Sequence, residues 1–92
     1  MRAYIVCYDV TEDKIRNRIA RVLKEYGDRV QYSVFEISLK NENELEILCN
    51  RLKIIADEDT KIGLYRLCAN CRQDSHTLEG DRLAEMPAVV IL

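Results

Sequence analysis

Arg2-Ala-Tyr-Ile-Val-Cys-Tyr-Asp9, followed after Val10 by Thr11-Glu-Asp-Lys-Ile15, decides how this chain folds. The first eight residues are short, apolar and rich in β-branched and aromatic side chains, which fits a strand covered on both faces. Thr11 is then placed to cap a helix whose first turn carries Glu12 and Asp13, both favourable at the positive end of the helix dipole. Within that helix Ile15, Ile19, Val22, Leu23 and Tyr26 recur at helical spacing as one apolar stripe. Gly27 is the expected stop.

Working outward, residues 28–39 read as extended, with Val34, Glu36 and Ser38 alternating against Phe35, Ile37 and Leu39. They form one kinked strand or two short paired ones, and no Asn-Gly turn marks a corner. Asn41 with Glu44 is a capping-box variant that opens a second helix with the stripe Leu45, Leu48, Cys49, Leu52 and Ile55. The polar connector Asp57-Glu-Asp-Thr60 leads to a strand over 61–68, then a loop from about Gln73 to Met86, then Pro87-Ala-Val-Val-Ile-Leu92 with strand composition. This order predicts one α+β domain over residues 1–92, a ferredoxin-like sandwich with two helices on one face of a mainly antiparallel sheet. An unpaired apolar edge at 89–92 is an aggregation liability. The expectation is therefore a homodimer, with the additional C-terminal strand, residues 87–92, packing on the partner chain.

Composition narrows the function. With 92 residues, 48% hydrophobic, 33% charged and only three Gly and one Pro, the chain is too apolar and regular for disorder and too short for a second catalytic domain. A net charge of −2 argues against binding nucleic acid through bulk basicity. The average conceals an asymmetry: residues 1–40 carry a net +2 and residues 41–92 a net −4. Lys14, Arg16, Arg18, Arg21, Lys24 and Arg29 cluster in the first half, either as a solvated face or as a polyanion-binding surface. No run approaches the ~20 apolar residues of a membrane span or a signal segment, so the chain is read as cytoplasmic, without a membrane partner, and its cysteines as reduced.

Gly-rich phosphate loops, His-Glu-x-x-His and nucleophile elbows are absent, and His76 is the single histidine. The arrangement that invites chemistry is Tyr8-Asp9, at the carboxyl end of a strand and facing an arginine-rich helix, where ligands collect in α/β folds. Asp9 either satisfies backbone N–H groups before the helix or serves as a hard oxygen ligand for Mg²⁺ or Mn²⁺. One carboxylate per chain is sparse, and a two-fold axis near Asp9 would present two.

Tyr4-Ile-Val-Cys-Tyr-Asp-Val10, then Arg16-Asn-Arg18 with Ile19-Ala20, then Gly27-Asp-Arg-Val-Gln-Tyr-Ser-Val-Phe-Glu36, resemble the small CRISPR-associated adaptation nucleases, the non-integrase partner of the spacer-acquisition complex. The resemblance continues through the second helix and Tyr65-Arg-Leu-Cys68 to the terminal Val-Val-Ile. It implies a ferredoxin-like homodimer acting as a metal-dependent endonuclease on single-stranded RNA or duplex DNA, alongside an integrase subunit. It also implies that Asp9 binds the metal, Mg²⁺ or else Mn²⁺, and that Tyr8, Arg16, Arg18, Arg29 and Phe35 serve activity or nucleic-acid contact, with Gln31 and Ser33 in the same motif. Together with the basic helix, the nucleic-acid-binding set is Lys14, Arg16, Arg18, Arg21 and Arg29. Two other readings stay open: a non-enzymatic dimeric scaffold for integrase and duplex DNA, and a toxin-type ribonuclease of similar fold.

Cys68-Ala-Asn-Cys71 is half of many zinc sites, with His76 five residues on. Because structural zinc normally has four clear ligands, the pair is read as thiols closing a strand rather than as a zinc site. No strand–CxxC–helix context is expected there, which argues against redox chemistry. Tyr4, Tyr26, Tyr32 and Tyr65 are assigned to core or interface packing rather than base stacking.

Overall fold

The computed structural model describes residues 1–76 and 78. Strand β1 (Arg2–Asp9) is followed by helix α1 (Asp13–Leu23), strands β2 (Gly27–Gln31) and β3 (Val34–Leu39), helix α2 (Glu42–Ile55), strand β4 (Lys61–Leu67) and the short helix α3 (Ala69–Asp74). The sheet order is β2-β3-β1-β4, with every neighbouring pair antiparallel. This is the ferredoxin-like plan expected from the element order. The proposed strand over 87–92 lies outside the described residues.

Alternation along β1 sorts its side chains. Tyr4, Val6 and Tyr8 face the helices and join Phe35, Ile37 and Leu39 of β3 in the core. From α1 come Ile19, Val22 and Leu23, and from α2 come Leu48 and Leu52, so the helical stripes read from the sequence are the buried ones. Ile5, Cys7 and Asp9 leave β1 on the other face, opposite Tyr65, Gly63 and Lys61 of β4. That second face also carries Glu36, which is 1% exposed.

Local signals behaved unevenly. Asn41 caps α2 as expected, its side chain accepting from the Glu44 amide at 2.9 Å, while Glu44 reaches back to the Lys40 amide at 2.8 Å. Thr11 is not the cap of α1: Glu12 holds that position, with no side-chain cap bond, and the helix starts one residue later. Gly27 is not the stop either. The α1 helix ends at Leu23, and Gly27 is the first residue of β2, paired with Ile37. Its hydrogen faces the neighbouring backbone so closely that a Cβ there would lie 1.9 Å from the Glu36 carbonyl oxygen.

The extended segment is two paired strands, with the register shifting between Arg29 and Gln31. Ser33 makes the reversal at φ 63°, so a left-handed residue serves where no Asn-Gly exists. After β4 the chain does not run straight into a loop. It turns into α3, capped by Cys68.

Candidate functional site

At the carboxyl end of β1, consecutive residues serve opposite faces. Tyr8 points under α1 and is 5% exposed, whereas Asp9 is exposed. Asp9 therefore does not face the arginine-rich helix: the two-residue period of the strand puts the carboxylate and the arginines on opposite sides.

On the helix side a cationic and aromatic cluster is assembled from three elements. The Tyr8 amide donates to the Ser33 carbonyl at 3.0 Å, which ties the β2–β3 turn to the end of β1. The turn carries Tyr32 beside α1, where the Arg16 guanidinium stands 5.6 Å from its ring centroid. Arg16 Nη2 also donates to the Val10 carbonyl at 2.8 Å, fixing the start of α1, and Arg16 pairs with Asp13. Its pKa is raised, first by the bond to Asp13. Arg29 lies 5.3 Å from the Phe35 centroid, and Phe35 stacks against Tyr8 with centroids 6.2 Å apart.

Burial decides what each aromatic can do. Phe35 is fully buried, so its ring supports Tyr8 and Arg29 and offers no face to a base. The Tyr8 hydroxyl is buried, with the Arg29 side chain beside it. Burial pushes its pKa up, against the lowering charges of Arg29 and Arg16. Tyr32 is 69% exposed, so it is not a core residue of the chain and its ring stays open to an interface or a ligand. Lys14, Arg18 and Arg21 are exposed and fall at i, i+4 and i+7, one outward stripe of α1, while Arg16 is half-buried. The five basic residues thus divide into an anchored pair, Arg16 and Arg29, and an exposed stripe.

On the other face Asp9 borders an open depression of ≈ 350 Å³, shared with Cys7, Lys61, Gly63 and Tyr65. Asp9 sits directly opposite Lys61 in the β1–β4 register. Tyr65, 60% exposed, folds over Gly63, where a Cβ would meet its hydroxyl at 2.6 Å. Lys61 and Tyr65 as site neighbours come from cross-strand register, which no local motif encodes. Among the described residues no group of three His, Cys, Asp or Glu side chains converges on one point. The Asp9 oxygen donor fits a hard divalent cation as one protein ligand of a site completed by phosphate, water or a second copy.

A four-stranded antiparallel sheet in the order β2-β3-β1-β4, with two helices on one face, defines a small ferredoxin-like α+β protein. Residues 1–75 match the profile of CRISPR associated protein Cas2, and the chain belongs to that family. It is 34% identical over 93 residues to a Synechocystis sp. protein named CRISPR-associated endoribonuclease Cas2 2, with both chains covered in full. A relative of the same name in Methanospirillum hungatei is 37% identical over 68 residues, covering 74% of this chain and 75% of that one. CRISPR-associated endoribonuclease Cas2 4 from Rhodospirillum rubrum is 35% identical over 71 residues, covering 77% of this chain and 57% of that one. In the solved structure of a partial Cas6-RT-Cas1–Cas2 complex, one chain superposes with a TM-score of 0.81 at 34% identity, over 94% of this chain and 100% of that one. Streptococcus pyogenes Cas2 at pH 6.5 superposes with a TM-score of 0.75 at 34% identity, over 83% and 98% of the two chains. No helix among the described residues is long and apolar enough to cross a membrane.

Proposed function

We propose that this protein is a metal-dependent endonuclease of CRISPR spacer acquisition, acting as a homodimer beside an integrase subunit and cleaving phosphodiester bonds in single-stranded RNA, duplex DNA or both. The observation that carries the reading is the exposed Asp9 carboxylate at the carboxyl end of β1, lining an open depression of ≈ 350 Å³. Family membership and relatives named endoribonucleases support it.

Asp9 from each of two copies would hold Mg²⁺ or Mn²⁺, a cation that supplies Lewis acidity toward a phosphodiester when bound. Lys61, opposite Asp9 on the same face, places a positive charge where phosphate would enter. Lys14, Arg18 and Arg21 hold backbone phosphates on the helix side, and Arg16 and Arg29 keep the β1 end and the turn in place. Tyr8 and Phe35 act through Arg29 and the strand end rather than by touching the scissile bond.

The test is cleavage of single-stranded RNA and duplex DNA by nuclease-free protein with Mg²⁺, with EDTA, and by Asp9→Ala. Cleavage lost in both EDTA and the variant is the expected result, and unchanged cleavage by Asp9→Ala overturns the reading. Superposition on a chain of a Cas1–Cas2 complex favours a second reading, a scaffold bridging integrase and duplex DNA. Spacer integration with Asp9→Ala separates the two: retained integration by a cleavage-dead variant assigns the scaffold role.

A further inference from the structure

The break between β4 and α3 changes the standing of the cysteine pair. β4 ends at Leu67, Cys68 occupies the cap position and Cys71 lies in the first turn of α3, so strand, Cys-x-x-Cys and helix follow one another after all. We propose that Cys68 and Cys71 form a reactive dithiol that closes reversibly to a disulfide, taking a low-molecular-weight disulfide as its co-reactant.

Geometry supplies the grounds. Cys68 Sγ accepts the Cys71 amide at 3.3 Å, so the two cysteines meet across the first turn of α3. Both residues are exposed, whereas Cys7 and Cys49 are half-buried. The two thiols are unequal: the Cys71 amide and then the Cys71 thiol hold the Cys68 pKa below its usual value, while that of Cys71 is raised, chiefly by Cys68. A thiolate-prone, accessible cysteine beside a second thiol is the arrangement that exchanges with disulfides. The turn is also held in shape. The Arg72 amide donates to the Cys68 carbonyl at 3.0 Å, Ser75 Oγ donates to the Cys71 carbonyl at 2.6 Å, and Arg72 Nε is bonded to the buried Glu36. Pre-organisation favours closure within the chain over pairing between chains.

The exchange balances in two steps. The Cys68 thiolate attacks one sulfur of the disulfide RSSR, whose S–S bond breaks and releases RS⁻, protonated to RSH. Cys71, losing its proton to solvent, attacks Cys68 sulfur in the mixed disulfide, forming the Cys68–Cys71 bond and expelling the second RS⁻. Two cysteine sulfurs are oxidised and one RSSR is reduced to two RSH. The reverse exchange with excess thiol restores the pair.

The experiment equilibrates the full chain in oxidised and reduced glutathione, quenches with acid, alkylates the remaining thiols and maps them by mass spectrometry. The wild type is expected to form the 68–71 disulfide and to lose it in excess reduced glutathione. Cys71→Ser is expected to accumulate one glutathione on Cys68, and Cys68→Ser to react at Cys71 several-fold more slowly. Three results overturn the proposal: no 68–71 disulfide at any ratio, glutathione distributed equally over Cys7, Cys49 and Cys68 in Cys71→Ser, or disulfides formed only between chains. Circular dichroism of both variants confirms that they remain folded.

Discussion

Arg72 Nε donates to Glu36 Oε2 at 2.8 Å across 36 positions of sequence, with Glu36 1% exposed and the Arg72 side chain 12% exposed. The pair ties α3 to the middle of the sheet, on the face that the other two helices leave open. Removing one partner leaves a charge in a low-dielectric setting, which typically costs ~3–5 kcal/mol. Arg72→Met should lower the denaturant midpoint accordingly, and adding Glu36→Gln to it should restore part of the loss. A single variant as stable as the wild type would show that the carboxylate is reached by water.

Gly27 is required by the approach of β2 to β3. A Cβ would lie 1.9 Å from the Glu36 carbonyl oxygen and 2.6 Å from Ile37 Cα, both backbone atoms that cannot swing aside. Gly27→Ala is expected to cost about 1–3 kcal/mol or more in equilibrium unfolding. Gly63→Ala meets only the movable Tyr65 side chain and should cost less.

The two classes of arginine should separate in binding. Lys14, Arg18 and Arg21 are exposed on one stripe, so replacing all three with Ala should lower the slope of log affinity against log salt by roughly 2 to 3, with little change in melting temperature. Arg16→Ala should instead lower the melting temperature, because Arg16 holds the Val10 carbonyl and the Tyr32 ring. Filter binding across a salt series, paired with thermal unfolding, reads both effects.

Acid should weaken the clamp between the end of α1 and α2. Arg51 donates to both Glu25 oxygens at 3.0 and 2.8 Å and to the Tyr26 hydroxyl at 3.0 Å. The Arg51 bond holds the Glu25 pKa below the ordinary glutamate value. The carboxylate is thus favoured in the folded chain, and its contribution is present above the unfolded pKa and lost as pH falls through the folded one. Denaturant midpoints measured from pH 7 down to about pH 3 should fall less steeply for Glu25→Gln than for the wild type.

The elements were legible because their signals are local. The stripe through Ile19, Val22 and Leu23, the Asn41–Glu44 cap and the alternation of β3 each involve residues within a few positions of one another, and all three are present. Signals for ends were weaker. Thr11 and Gly27 have residue types suited to a cap and a stop, yet the docking of α1 and the pairing of β2 decided those positions. The acidic and basic site residues were legible as residue types, whereas the exposure of Tyr32 depends on where the turn lands.

By itself the sequence determined a strand, helix, extended segment, helix, strand order, two amphipathic helices and an aspartate closing the first strand, all consequences of side-chain period and backbone preference. Tertiary structure decided which face each residue serves. Packing α1 and α2 on the Tyr4, Val6 and Tyr8 side leaves Asp9 with Lys61 and Tyr65 on the other, opposite the arginines it was expected to meet. It also joined Arg72 to Glu36, residues far apart in the chain. Such contacts depend on how elements dock, which no local pattern records.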